Sequence, residues 1–191
     1  MRKRLAMLVL AAGMMMSFGT AGVMAEETTE AVTESGADIV LSYEDIDASV
    51  YEGTWVSTGL GFDIYLPSDW DVLEVSEENA AKDIVYQAAD SAKGWNVAIS
   101  YSKGMNVTAD DIYARLKAGG YEYLYTLDLN GIPAVGFDLD EMKVSGVAFA
   151  DTEGGMYTVQ LGPNDDKDFS PYAKNILMSI SPTEEAMTEA Q

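Results

Sequence analysis

The stretch Trp95-Asn96-Val97-Ala98-Ile99-Ser100-Tyr101-Ser102 decides the fold class. Trp95, Val97, Ile99 and Tyr101 share one parity, and Asn96, Ala98, Ser100 and Ser102 share the other. A period of two sends successive side chains to opposite faces, so this is a half-buried β-strand. Ile84 to Ala88 reads as a strand before it, joined through the hairpin-like loop Asp90-Ser91-Ala92-Lys93-Gly94.

Working outward, the same pattern recurs. Phe62, Ile64 and Leu66 alternate with Asp63 and Tyr65, and Pro67-Ser68 turns the chain. Tyr121 to Leu129 and Pro133 to Leu139 flank Asn130-Gly131, a pair that favours the left-handed dihedrals of a type I′ hairpin. Val144 to Ala150 and Met156 to Leu161 flank Glu153-Gly154-Gly155, a further hairpin. Two helices are legible. Thr108 caps the first, Asp110 and Asp111 lie in its first turn, Ile112, Tyr113 and Leu116 form its apolar face, and Gly119-Gly120 ends it. Ser170-Pro171 starts the second as cap and first helical residue, with Tyr172, Ile176, Leu177 and Ile180 in one stripe. A short helix or turn is expected around Ser76 to Lys82. Runs of hairpins with two packed helices predict an α+β domain: an antiparallel β-sheet with helices packed on its faces.

The chain has 191 residues, with 11 Lys and Arg, 32 Asp and Glu, and neither His nor Cys. Without His there is no imidazole base, no Ser-His-Asp triad and no imidazole metal ligand. Without Cys there are no disulfides, thiolate nucleophiles, iron–sulfur clusters or lipidated-cysteine anchors. A formal charge of −21 disfavours nucleic acid as a partner, because phosphate backbones repel it.

Residues 1–25 read as a secretory signal peptide. Arg2, Lys3 and Arg4 form the positive region, Leu5 to Phe18 the apolar one, and Val23-Met24-Ala25 the cleavage site before Glu26. The competing reading is an uncleaved anchor, for which the apolar stretch is short. Cleavage leaves eight basic residues against 32 acidic ones, and no stable membrane span. The expected location is secreted or extracellular. Residues 26–39 read as an acidic, disordered linker, 40–182 as a single domain and 183–191 as a disordered tail.

Taken in order, the elements resemble those of a known family. They are the strand Gly61-Phe62-Asp63-Ile64-Tyr65-Leu66-Pro67-Ser68-Asp69-Trp70, a strand pair, the helix at Thr108, the hairpin Leu129-Asn130-Gly131-Ile132-Pro133-Ala134, two more strands, and Asn175-Ile176-Leu177-Met178-Ser179-Ile180. Across residues 54–182 the chain resembles the PsbP/Mog1-like superfamily, including its small exported bacterial members. The resemblance implies an α/β/α sandwich and the role of an assembly factor or binding accessory, not an enzyme. It transfers no site residue. The histidines associated with metal retention, and the lipidated cysteine of many bacterial members, have no counterpart here.

Each chemical motif has a plainer reading beside it. Asn164-Asp165-Asp166-Lys167-Asp168 starts like a calcium loop, but Phe169 stands where the sharp turn needs Gly and Asn175 where a bidentate Glu is needed. Its plainer reading is a polar loop whose carboxylates favour the following helix start. Asp138 and Asp140 share a strand face by period two, so a cation could relieve their repulsion; a solvent-facing strand gives the same pattern. Ser100-Tyr101-Ser102-Lys103 has the S-x-x-K spacing but lies at a strand end, where that chemistry needs a helix start. Gly59-Leu60-Gly61 lacks the third glycine of a dinucleotide loop and reads as a turn. No catalytic residue, metal ligand or cofactor is assigned.

The aromatic residues are the better lead. Tyr121, Tyr123 and Tyr125 lie on one face of one strand, and with Trp70 they are the candidate binding residues. A bare face of this kind is a platform for a sugar or a peptide; buried under a helix, it is core. The leading expectation is a secreted, non-catalytic binding or assembly-accessory protein whose partner is a cell-surface or secreted protein. The alternative is an extracellular glycan or small-ligand binding module using exposed aromatics.

Overall fold

The computed structural model describes residues 39–104 and 106–183. The expected signal peptide lies outside the described residues, as do linker residues 26–38 and tail residues 184–191. In chain order, β1 (Ile39–Leu41) leads through a 3-10 turn at Tyr43–Asp45 to β2 (Gly53–Ser57), β3 (Phe62–Pro67), β4 (Asp71–Val72) and α1 (Glu77–Ala80). The hairpin β5 (Ile84–Asp90) and β6 (Trp95–Ser102) precedes α2 (Ala109–Ala118). A meander follows: β7 (Glu122–Leu129), β8 (Ile132–Leu139), β9 (Val144–Ala150) and β10 (Met156–Gly162). Then come α3 (Ser170–Ser179) and β11 (Ser181–Pro182).

The fold is α+β, with eight strands in the order β1-β7-β8-β9-β10-β6-β5-β4 forming the main sheet. On one face, Ile112 and Leu116 of α2 pack on Val135, Phe137 and Ala148. On the other face lies the larger core, covered by α3 and by a second sheet ordered β11-β3-β2. Phe62, Ile64 and Leu66 point into that core, as their alternation predicts. The result is a three-layer arrangement in which each apolar sheet face is covered.

Local chemistry explains most boundaries. Thr108 and Asp111 form a reciprocal capping box at the start of α2, which satisfies two of its free amides. Asn130 and Gly131 have φ of 52° and 89°, as the type I′ turn requires. Asn130 also acts at long range: its amide donates to the carbonyls of Met178 and Ile180 and its oxygen accepts from the Tyr43 amide. The turn of one hairpin thereby holds the end of α3 and the 3-10 turn.

Three features depart from expectation. β1 pairs with β7 in parallel, so the main sheet is mixed. A three-residue strand carries too little pattern to announce itself. The strands also divide between two sheets. Ser170 is the first residue of α3 and does not cap it. The preceding Phe169 already has helical dihedrals, and the amides of both bond to the Asp166 carbonyl.

Candidate binding surface

The expected tyrosine platform does not form. Glu122 pairs with Asp138 and Tyr125 with Gly136, so three steps on β7 oppose two on β8. This is a β-bulge, and an extra residue reverses which face the earlier side chains take. Tyr123, at φ 53°, lies inside it. Tyr121 therefore packs on the α2 side, edge-on to Phe137 at 5.0 Å. Tyr125 packs on the opposite side, its ring over Gly136, where a Cβ would come within 2.3 Å. Tyr123 alone of the three is exposed, at 63%. Trp70 is core: it is 8% exposed, stacked on Phe169, and its indole N–H is buried without a partner.

The acidic clusters are also drawn into local structure. The Asp166 carboxylate accepts the Trp95 indole N–H at 2.8 Å and the Asp168 amide at 2.9 Å. These bonds hold Asp166 below its ordinary pKa, the indole contributing most. Asp165 pairs with Lys143. Asp138 accepts from Ser145 at 2.5 Å, while Asp140 lies beyond the end of β8, so the two do not share a strand face. Asp151 accepts the Tyr101 hydroxyl and two amides of its own turn, and pushes that hydroxyl up to about 12. Among the described residues, no three metal-ligating side chains converge.

What the structure brings together instead is a row of eight aromatic rings. It runs Tyr43, Trp55, Tyr65, Tyr51, Tyr172, Trp95, Phe169, Trp70, with successive centroids no more than 6.4 Å apart. Offset and edge contacts of this kind each contribute roughly 0.5–1.5 kcal/mol beyond burial. The row crosses the layer formed by the small sheet and α3. Its middle is sealed. Tyr51 donates to the Tyr65 carbonyl at 2.9 Å, and burial, followed by Tyr65 and Tyr172, pushes its hydroxyl pKa up.

One end opens to solvent. Trp55 is 50% exposed and Tyr43 49%. Register explains why: Trp55 pairs with Tyr65, and Ser57 with Asp63, at the parity opposite to core-facing Phe62, Ile64 and Leu66, while Tyr65 also stacks on buried Tyr51. β2 is also an edge strand. Gly53 lets Tyr65 lie across it, since a Cβ there would sit 2.7 Å from the ring, and the Gly53 amide donates to the Tyr65 hydroxyl. Exposed Tyr43 and Trp55, with half-buried Tyr65, thus form an open aromatic corner away from the expected tyrosine strand. The signal was available in Asp63 and Tyr65, which mark the outward parity of β3. The turn at Gly59-Leu60-Gly61 pairs Trp55 with that parity.

No protein-family model matches this chain, and no curated protein matches it. Among solved structures it is similar to that of cyanobacterial PsbP (CyanoP) from Synechocystis sp. PCC 6803. The identity is 14% and the TM-score 0.47, over 68% of this chain and 92% of that one.

Proposed function

We propose that this chain is an exported, non-catalytic binding protein, acting as an accessory to another protein at or beyond the cell surface. The export reading rests on the positive and apolar segments of residues 1–25. Among the described residues, no helix is long and apolar enough to cross a membrane.

The observation that supports binding is the open corner of Tyr43, Trp55 and Tyr65. Large aromatics are the residues that most often anchor protein interfaces. Here Trp55 stands on an edge strand whose outer face is open. Asp166 accepts an indole and an amide N–H, Asp138 a hydroxyl, and Asp165 pairs with Lys143, which gives these three carboxylates a structural role. Tyr121 and Tyr125 pack on opposite faces of the sheet and Trp70 is core, so the binding role passes from them to Trp55.

The test is capture from envelope and surface fractions by the purified mature protein, beside a folded control of equal acidity. The Trp55→Ala variant, at an exposed position, should keep its fold and lose the captured protein. Equal capture by wild type, variant and control removes the support for this reading.

A further inference from the structure

The molecule contains two corners built from one tryptophan and one tyrosine. Trp95 and Tyr172 lie 4.8 Å apart at an interplanar angle of 55°. Trp55 and Tyr65 lie 5.6 Å apart, also at 55°. The first corner holds a cation of the protein itself. The Lys93 ammonium sits 4.3 Å from the Trp95 centroid and 5.6 Å from that of Tyr172, with the Asp90 carboxylate 3.1 Å behind it. Tilted aromatic faces backed by a carboxylate hold an ammonium or guanidinium through the ring quadrupole.

The second corner has the same rings at the same tilt, a third ring in Tyr43 at 6.4 Å and 81°, and an open side. Its surroundings are acidic. Exposed Glu44 and Asp45 follow Tyr43, exposed Glu52 precedes Gly53, and half-buried Asp63 shares the outer face with Trp55. Between residues 39 and 81 the chain has ten acidic residues and no basic one. Lys174, on α3, acts on Asp47 beyond the 3-10 turn. An aromatic corner in so negative a segment matches a positive group delivered from outside it.

We propose that the Tyr43–Trp55–Tyr65 corner takes a lysine or arginine side chain from a basic, extended segment of a partner protein, as the Trp95–Tyr172 corner takes Lys93. This rests on the binding function proposed above and names the chemistry of the occupant. The free edge of β2 suits an extended segment, because its outward backbone groups can pair with a further strand.

The test titrates the mature protein with a fluorescein-labelled hexapeptide of alternating arginine and valine, at about 0.15 M salt, where longer-range attraction between exposed charges is largely screened. The control peptide has glutamate for arginine. The arginine peptide should bind and the glutamate peptide should not. Trp55→Leu keeps apolar bulk and removes the indole face, and should weaken binding at least about tenfold; Trp55→Tyr should restore part of it; Lys143→Met, which removes a cation paired with Asp165 and belongs to neither corner, should leave it unchanged. In the wild-type protein the Trp55 indole N–H resonance should shift on adding the arginine peptide, a readout independent of how any variant folds. Equal binding by wild type and Trp55→Leu, or an unmoved Trp55 resonance, overturns the proposal. So does a Trp55 resonance that responds to a chitooligosaccharide and not to the peptide. Capture of an envelope protein through Trp55 without any response to the arginine peptide defeats the cation assignment alone and leaves the binding function standing.

Discussion

The Trp95 corner and the Trp55 corner use the same side chains at the same tilt, yet they belong to different parts of the molecule's economy. Trp95 is enclosed by Phe169, Tyr172 and Lys93, and its indole N–H is satisfied by Asp166. Trp55 has Tyr43 and Tyr65 on its flanks and solvent over the rest. The difference teaches that ring geometry does not decide what an aromatic cluster is for. What decides is the number of elements that close over it. Trp95 lies on an interior strand of the main sheet beneath α3, whereas Trp55 lies on the edge strand of a three-stranded sheet.

The sharpest way to break the comparison is to remove each indole. Trp95→Ala should cost about 3–5 kcal/mol, because it opens a cavity and takes the indole N–H from the Asp166 carboxylate. Denaturant unfolding of the variant checks this. A loss under about 1 kcal/mol shows that the buried corner contributes little to the core. Next in size is Gly53→Ala. A Cβ there would meet the Leu66 carbonyl at 2.6 Å and the Tyr65 ring at 2.7 Å. Overpacking of this kind costs roughly 1–3 kcal/mol, and it should also separate Tyr65 from Trp55, visible as altered near-ultraviolet circular dichroism.

Acid should act on the buried corner through its carboxylate. The folded pKa of Asp166 lies below its ordinary 3.8, with the Trp95 indole as the main cause. The unfolded chain therefore takes up the proton first as pH falls. The stability that Asp166 contributes is present above about pH 4 and is lost as pH drops through its depressed folded value. Asp166→Asn should flatten the acid limb of a stability–pH curve; an unchanged slope would remove Asp166 from this role. Trp55→Leu should cost about 1–2 kcal/mol through its two ring contacts, well short of Trp95→Ala. A larger loss of melting temperature would make Trp55 structural and narrow the contrast between the corners. Lys93→Met should cost less than about 1 kcal/mol, the usual range for a half-exposed cation–π pair.

Much of the fold was legible in the sequence because its signals are local. Alternation located β3 and β6, Asn130-Gly131 located a hairpin turn, and Thr108 with Asp111 located the start of α2. The site was less legible. Reading Tyr121, Tyr123 and Tyr125 as one face assumes an unbroken period of two, and the bulge at Tyr123 breaks it. Trp70 follows a turn and could point either way along the chain. Its burial depends on Phe169, nearly a hundred residues later. Even Asn130, correctly placed in its turn, gave no sign that it would hold the carbonyls of Met178 and Ile180.

The sequence by itself determined the chemistry on offer: no imidazole, no thiol, a large negative charge, and strands and helices bounded by caps and turns. Those properties depend on composition or on neighbours a few residues apart. The tertiary structure alone decided which aromatics face water. Exposure depends on pairing between distant strands, and one extra residue in a ladder exchanges the two faces of everything before it. Three tyrosines expected on one face were thereby divided, and Trp55, with Tyr43 beside it, was left at the open end of the aromatic row.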